Sequence, residues 1–262
     1  DGRTLAVSSR GYDVMTPKMS YAEQEPQVWW DCTVMAIREA MEKSGIRPEE
    51  LDGIGLSGQM HGLVAFDRNN EPVMPAIIWM DQRSAKETAL IKELAGDLLE
   101  TELLNQPGAG MMICSLLWLK RHRPDVYDRI AHVMLPKDYI RYRLTGTIGS
   151  DFSDACATLA FSVKGRCWCM ELIRRAGLKE DIWPQVGESS QAAGHVWAKA
   201  AARTGLSGHT RVVYGAGDSS AQLTGNGVIE EGIMACNIGT ASWQPQALQQ
   251  PAQFLCISLL LW

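Results

Sequence analysis

At 262 residues, with 46% hydrophobic and 21% charged residues, the chain has the make-up of an ordinary globular protein, long enough for one large domain or two small ones. Its net charge of -5 argues against nucleic acid or another polyanion as the main partner. The seven cysteines (32, 114, 156, 167, 169, 236 and 256) are odd in number, include no CxxC and do not join the five histidines at zinc spacing, so a disulfide framework or zinc module is not expected and reduced thiols in a cytoplasm are the simplest account.

The chain opens DGRTLAVSSRGY, with no signal-peptide pattern. A turn at Asp1 and Gly2 leads at once into a strand over 5–12, and such a strand is expected to have a partner before it, so the N-terminus reads as truncated. After a loop from Pro17 to Pro26, a helix is predicted over 27–44. Trp30, Val34, Ile37 and Met41 recur on one face, Pro26 suits the start and Gly45 the stop. A short strand then ends in the glycine-flanked polar turn of IGLSGQMHG at 54–62. Apolar runs follow at 63–66 and 77–79, with a turn at 67–70 between them. Further helices are predicted over 81–95, 114–121, 138–145, 168–176 and 198–204, four of them stopped by Gly96, Gly146, Gly177 and Gly205, with an apolar run at 133–135. Helices alternating with strands imply an α/β layered fold.

The stretch 211–240 is the densest in signals. It reads as a strand at 212–214, a glycine turn (Gly215, Gly217) carrying Asp218, a short helix, a turn at Gly232, a strand at 233–238 and a turn at Gly239 and Thr240. An acid so placed is either a reaction centre or an N-capping residue of a hairpin connection. Two look-alikes fail. GLSGQ at 55–59 has Gln59 where a hydrolase nucleophile elbow needs its second glycine. GAGDSS at 215–220 lacks the third glycine of a dinucleotide loop, and Glu230 and Glu231 come too early for its acid, so a dinucleotide-dependent oxidoreductase has little support. Residues 244–253 hold five glutamines and two prolines, and 254–262 are nearly all apolar. Those nine residues fall well short of the roughly 20 that a membrane-spanning helix needs.

Several segments together carry a resemblance. IGLSGQMHG at 54–62, PAIIWMDQR at 75–83, EPQVWW at 25–30, SDFSDA at 150–155, GAGDSSA at 215–221 and NIGT at 237–240 resemble, in order and approximate spacing, signatures of the FGGY carbohydrate kinases and within them the xylulokinases. The resemblance covers about 1–242 and implies an actin-like ATPase (ribonuclease H-like) domain, a mixed sheet flanked by helices. Two such domains close on ATP, Mg2+ and a sugar. On this reading 1–243 is the N-terminal domain without its first strand and DxGT loop, 244–262 is an atypical tail, and the C-terminal ATPase domain is absent.

The resemblance also implies roles. Asp218 matches the catalytic base, which orients the substrate hydroxyl and accepts its proton in a phosphoryl transfer. Anions are favoured at a helix N-terminus such as the one it precedes. Met60 and His61 match the sugar-contacting pair. Gly239 and Thr240 match a phosphate loop whose N–H groups and hydroxyl suit the terminal phosphates of the nucleotide. Asp81 and Arg83 either line the sugar cleft or form a helix N-cap and an ion pair. Ser219 stands where the family usually has Asn beside the base, so one sugar contact is changed. Met80 and Ser115 are further departures. The expected activity is ATP-dependent phosphorylation of a sugar hydroxyl, D-xylulose to D-xylulose 5-phosphate first, another ketose or a polyol behind. A small-molecule sugar is then the partner, with no nucleic acid, no membrane and a homodimer as the assembly. The chain by itself is expected to be inactive and, with a gap in its sheet, prone to associate. The alternative is a non-catalytic sugar-binding or regulatory actin-like module.

Overall fold

The computed structural model describes residues 2–234. The predicted tail at 244–262, Gly239, Thr240 and most of the predicted strand at 233–238 lie outside the described residues.

Short strands form the middle layer. Val64–Phe66 runs antiparallel to His132–Met134, Leu63 bridges Ile77, and Ala76–Ile77 runs antiparallel to Glu23–Gln24. Side chains alternate across a strand, so each strand feeds two cores. Leu63, Ala65, Ile77 and Val133 face helices α2 (Ala85–Ala95), α3 (Met112–His122) and α7 (Met170–Arg175). Val64, Phe66, Ala76, Ile78 and Met134 face α1 (Pro26–Ser44), α5 (Pro136–Thr145) and α8 (Ala198–Thr204). A second group of strands, Ala192–His195 antiparallel to Arg211–Val213 and Arg211–Val213 parallel to Gly53–Ile54, makes a mixed sheet against the α1 side. Helices on both faces of mixed strands are the layered α/β arrangement expected.

The helices follow their local signals. Proline opens α1 and α5, and glycine follows α1, α5 and α8. Three expectations need correction. The segment 5–12 forms no strand: Leu5 is 54% and Val7 72% exposed, and the first pairing along the chain is the Met15–Glu23 bridge. Strand geometry there has no backbone ladder to satisfy. The segment is tied down by side chains instead, through the Arg10–Glu39 ion pair and Lys43 Nζ donating to Val7 O at 3.4 Å. The helix predicted from 81 starts at Ala85, because Asp81 turns its carboxylate back on the chain. The helix predicted from 168 starts at Met170, because Cys167–Trp168 pairs with Phe161–Ser162 as a hairpin.

Ile77 joins both antiparallel pairings and has 0% exposure. Ile77→Ala is expected to cost about 2–5 kcal/mol, read as a lower denaturant midpoint at unchanged slope. A loss under about 1 kcal/mol would show that the two pairings do not share this residue as their anchor.

Candidate active site

The two glycine-bounded turns singled out by the sequence lie side by side. Ser57–Gly58 pairs in parallel with Ala216–Gly217, with Ser57 opposite Ala216 and Gly58 opposite Gly217. Parallel strands end at the same edge, so Met60 and His61 emerge beside Asp218 and Ser219. That edge is where α/β folds open their ligand crevices. Gly217 is needed there because a Cβ on it would meet Met60 Cγ at 2.8 Å and Sδ at 2.9 Å. Gly215 is needed for the turn: its φ is +78°, and a Cβ would come within 2.3 Å of Leu56 O.

Asp218 is the first residue of α9 (Asp218–Gly225), and its side chain is exposed. The residue before it, Gly217, occupies the N-cap position and has no side chain with which to cap. Asp218 therefore does not cap the helix, as one sequence reading allowed. Its Oδ1 accepts from Ser219 N at 2.7 Å and Ser219 Oγ at 3.3 Å. Across the turn, His61 holds a backbone φ of +69°, a conformation costly for a side chain with a Cβ. Its Nδ1 lies 2.7 Å from Ala157 O. A carbonyl only accepts, so Nδ1 carries the hydrogen and Nε2 is the ring nitrogen left free of this bond.

Asp81 and Arg83 sit elsewhere in character. Asp81 has 0% exposure and accepts from Ala22 N at 2.7 Å and from Arg83 N and Nε, each at 2.9 Å. Arg83 also donates to Glu23 Oε1 at 2.7 Å, and its guanidinium stacks 3.8 Å from the Tyr21 ring centroid and 5.2 Å from that of Trp118. With side chains 2% and 0% exposed, the pair forms a buried ion network and no cleft wall. Nor does Asp81 cap α2, whose N-cap position is Ser84. Ser115 is likewise fully buried.

Beneath the two turns lies a group of charges that the motif reading passed over. Lys137, in the first turn of α5, packs so closely under Gly58 that a Cβ there would be 3.2 Å from Lys137 Cβ. Its Nζ is 2.7 Å from Asp138 Oδ1, 3.0 Å from Asp151 Oδ1 and 3.7 Å from Asp154 Oδ2, and it donates to Tyr214 O at 3.1 Å. The three carboxylates bring oxygens within 4.8 Å of one another, a spacing that suits a divalent cation. Here the ammonium of Lys137 takes the cation's place. Arg141 joins from the same helix, with Nη1 2.6 Å from Asp138 Oδ1 and its guanidinium 4.7 Å from the Tyr214 ring centroid.

Burial would raise the Asp138 carboxyl, but Lys137 and Arg141 outweigh it and hold the group below the usual carboxylate range. Burial works against the Lys137 ammonium, yet Asp138, Asp154 and Asp151 keep it above an ordinary lysine. Asp154 is the reverse case. Burial pushes its carboxyl well up, Lys137 offsets this in part, and Asp138, Asp151 and Asp218 add to the rise. Of the three acids, Asp154 is thus the one whose charged form its surroundings disfavour.

The same acids begin α6 (Phe152–Cys156). Asp151 caps it, with Oδ2 accepting from Ser153 N at 2.9 Å, Ser153 Oγ at 2.6 Å and Ser189 Oγ at 2.8 Å. Ser153 Oγ in turn accepts from Gly217 N at 3.1 Å. The SDFSDA segment was the sequence signal for this: an Asp-x-Ser arrangement is that of a capping turn.

Two parallel strands ending in a Met-His turn and an acid-bearing helix start, between two helical layers, define an α/β domain whose two glycine turns meet at one sheet edge. The model of the FGGY family of carbohydrate kinases, N-terminal domain, matches residues 1–225, and the chain belongs to that family. It is 34% identical over 241 residues to the xylulose kinase of Bacillus subtilis, covering 92% of this chain and 48% of that protein. Among solved structures, it is similar to a xyloylose kinase from Brucella ovis (TM-score 0.82, 35% identity, 88% of this chain and 48% of the other). It is also similar to the xylulose kinase of Rhodospirillum rubrum (TM-score 0.84, 26% identity, 90% and 48%). The fold is that of these kinases, the actin-like ATPase (ribonuclease H-like) α/β fold. The chain spans about half the length of the curated relatives it matches.

The raised Asp154 carboxyl sets a pH signature. A folded-state pKa above the unfolded one gives stability that is present in acid and lost as pH rises through the folded value. Asp154→Asn cannot lose that increment. Its melting temperature is expected to gain on the wild type as pH increases, with a slope difference of at most about 1.4 kcal/mol per pH unit. Parallel melting curves from pH 4 to 9 would mean that Asp154 keeps an ordinary carboxylate.

Proposed function

We propose that the protein is an ATP-dependent sugar kinase that phosphorylates a ketose hydroxyl, D-xylulose first, to give D-xylulose 5-phosphate. The observation that carries this reading is the Gly58–Gly217 register, which sets Met60 and His61 beside Asp218 at one sheet edge. The names of the family and of its relatives, xylulose kinases among them, supply the substrate class.

In this reading Met60, packed on Gly217, gives the sugar an apolar wall. His61 meets a sugar hydroxyl through Nε2, since Nδ1 is committed to Ala157 O. Asp218 orients the acceptor hydroxyl and takes its proton as the phosphoryl bond forms. Ser219, whose hydroxyl faces the same carboxylate, offers a shorter reach than Asn and contributes to the choice of sugar. Asp81 and Arg83 serve as a buried ion pair against the Tyr21 and Trp118 rings and not by touching the sugar. ATP, with Mg2+, supplies the phosphoryl group when bound. Gly239 and Thr240, assigned to its phosphates, lie outside the described residues. The described acid triad does not fit Mg2+, because Lys137 fills it. We place it in the cytoplasm, where the free thiols Cys32, Cys114, Cys156, Cys167 and Cys169 would stay reduced. No helix among the described residues is long and apolar enough to cross a membrane.

The test is ADP formation by the protein at its full natural length with D-xylulose and a panel of ketoses and polyols. Asp218→Ala is expected to cut kcat by about 10²–10⁴-fold while the sugar dissociation constant changes little. Sugar binding without ADP from any panel member would replace the kinase by a sugar-binding module. Equal loss of binding and turnover in Asp218→Ala would remove Asp218 from the role of base.

A further inference from the structure

One segment touches both glycine-bounded turns. At its start, Ser153 Oγ accepts from Gly217 N at 3.1 Å, one residue before Asp218. At its end, Ala157 O fixes the His61 ring at 2.7 Å. The serine is itself held. Its hydrogen is spent on Asp151 Oδ2 at 2.6 Å, which turns the oxygen lone pairs toward Gly217. Asp151 is in turn held by Ser189 Oγ at 2.8 Å and by the Lys137 ammonium, 3.0 Å from its other oxygen. Lys137 closes the circuit by donating to Tyr214 O at 3.1 Å, just past the strand Arg211–Val213 that leads into the Asp218 turn.

We propose that Ser153 is a positioning residue for Asp218, with Lys137 as the tethered cation that fixes the Asp151 carboxylate behind it. The catalytic consequence rests on the kinase reading, whereas the structural consequence does not. Three features separate this from ordinary packing. Ser153 is only half-buried, so its hydroxyl fills no core space. It serves a backbone N–H at a helix N-cap position, which has no partner inside the helix. It also acts on the Asp218 turn alone, whereas His61 is held by a separate bond from Ala157. Loss of the hydroxyl therefore frees the base and leaves His61 in place.

The experiment compares Ser153→Ala with Ser153→Thr, which keeps the hydroxyl, in the protein at its full natural length. Hydrogen exchange by mass spectrometry should show the segment 214–222 opening about tenfold more in Ser153→Ala, with the remainder unchanged. Steady-state kinetics should show kcat lower by about tenfold to a hundredfold and sugar KM within about twofold. Ser153→Thr should recover most of both. Unchanged exchange in 214–222, or a threonine variant as impaired as the alanine one, would overturn the proposal. If the wild type makes no ADP with any sugar, the kinase reading fails, and the exchange result still decides the tether.

Discussion

Gly58 and Gly217 face each other across two parallel strands, and the rest of the site depends on how close that pairing lets other groups come. Under Gly58 lies the Lys137 backbone and Cβ, and over Gly217 lies the Met60 side chain, each nearer than a Cβ would tolerate without displacement. A side chain at either position would push apart the buried ammonium and its strand, or the Met60 side chain and its turn. Parallel pairing adds the second constraint. Because the strands share a direction, their two exits share an edge, and a histidine is brought next to an acid from far along the chain. Antiparallel pairing would have put them at opposite ends of the layer.

The charges beneath the strands are an expensive way to hold them. Lys137, Asp138, Arg141, Asp151 and Asp154 are all essentially removed from solvent. Taking ions out of water costs several kcal/mol each, and an apolar core of the same volume is often as stable or more so. What apolar packing does not supply is direction. Lys137 Nζ and Arg141 Nη1 both aim at Tyr214 O, the former at 3.1 Å and the latter at 3.5 Å. The Tyr214 ring is confined as well: a Cβ on Gly149 or Gly187 would each meet it at 2.9 Å. Carbonyl and ring are thus both fixed just before the tight turn at Gly215. A cation carried on a side chain also needs no uptake from solution, so the strand is held in every state of the site.

How much of this was legible in the sequence follows from how local each signal is. The helix α1 was expected over 27–44 and runs Pro26–Ser44, and α8 was expected and found at 198–204, because proline and glycine act on their own neighbours. Met60, His61 and Asp218 were legible as two glycine-bounded turns. Their adjacency was carried by the family resemblance, since strand pairing between distant segments leaves no local mark. Lys137 was not legible. A lysine in the first turn of a helix reads as a solvated residue, and its burial arises only when Asp151 and Asp154 arrive from another segment. The Asp81–Arg83 spacing suited a cleft wall and an ion pair equally. Tyr21, Trp118 and the Ala22 N–H decided between them. The strand expected over 5–12 failed for the same reason in reverse: a strand-like stretch was visible, but a ladder needs a second backbone in register.

The short helix α6 shows why histidine and acid belong to one mechanical unit. His61 stands in a backbone conformation that costs of order 1–3 kcal/mol, and such strain persists only where the surroundings over-determine it. Its bond to Ala157 is part of that determination. Gly217, at the other turn, is held from the same helix through Ser153. A displacement of α6 would therefore carry both turns in the same direction and leave their separation nearly unchanged. Separate anchors would let the two drift independently, and a misplacement of about 1 Å between reacting groups is enough to cost roughly a hundredfold in rate. In the proposed reading, His61 and the exposed Asp218 supply the chemistry at the sheet edge. Their mutual distance is set by a buried acid, a buried lysine and a serine that connects them to the turn.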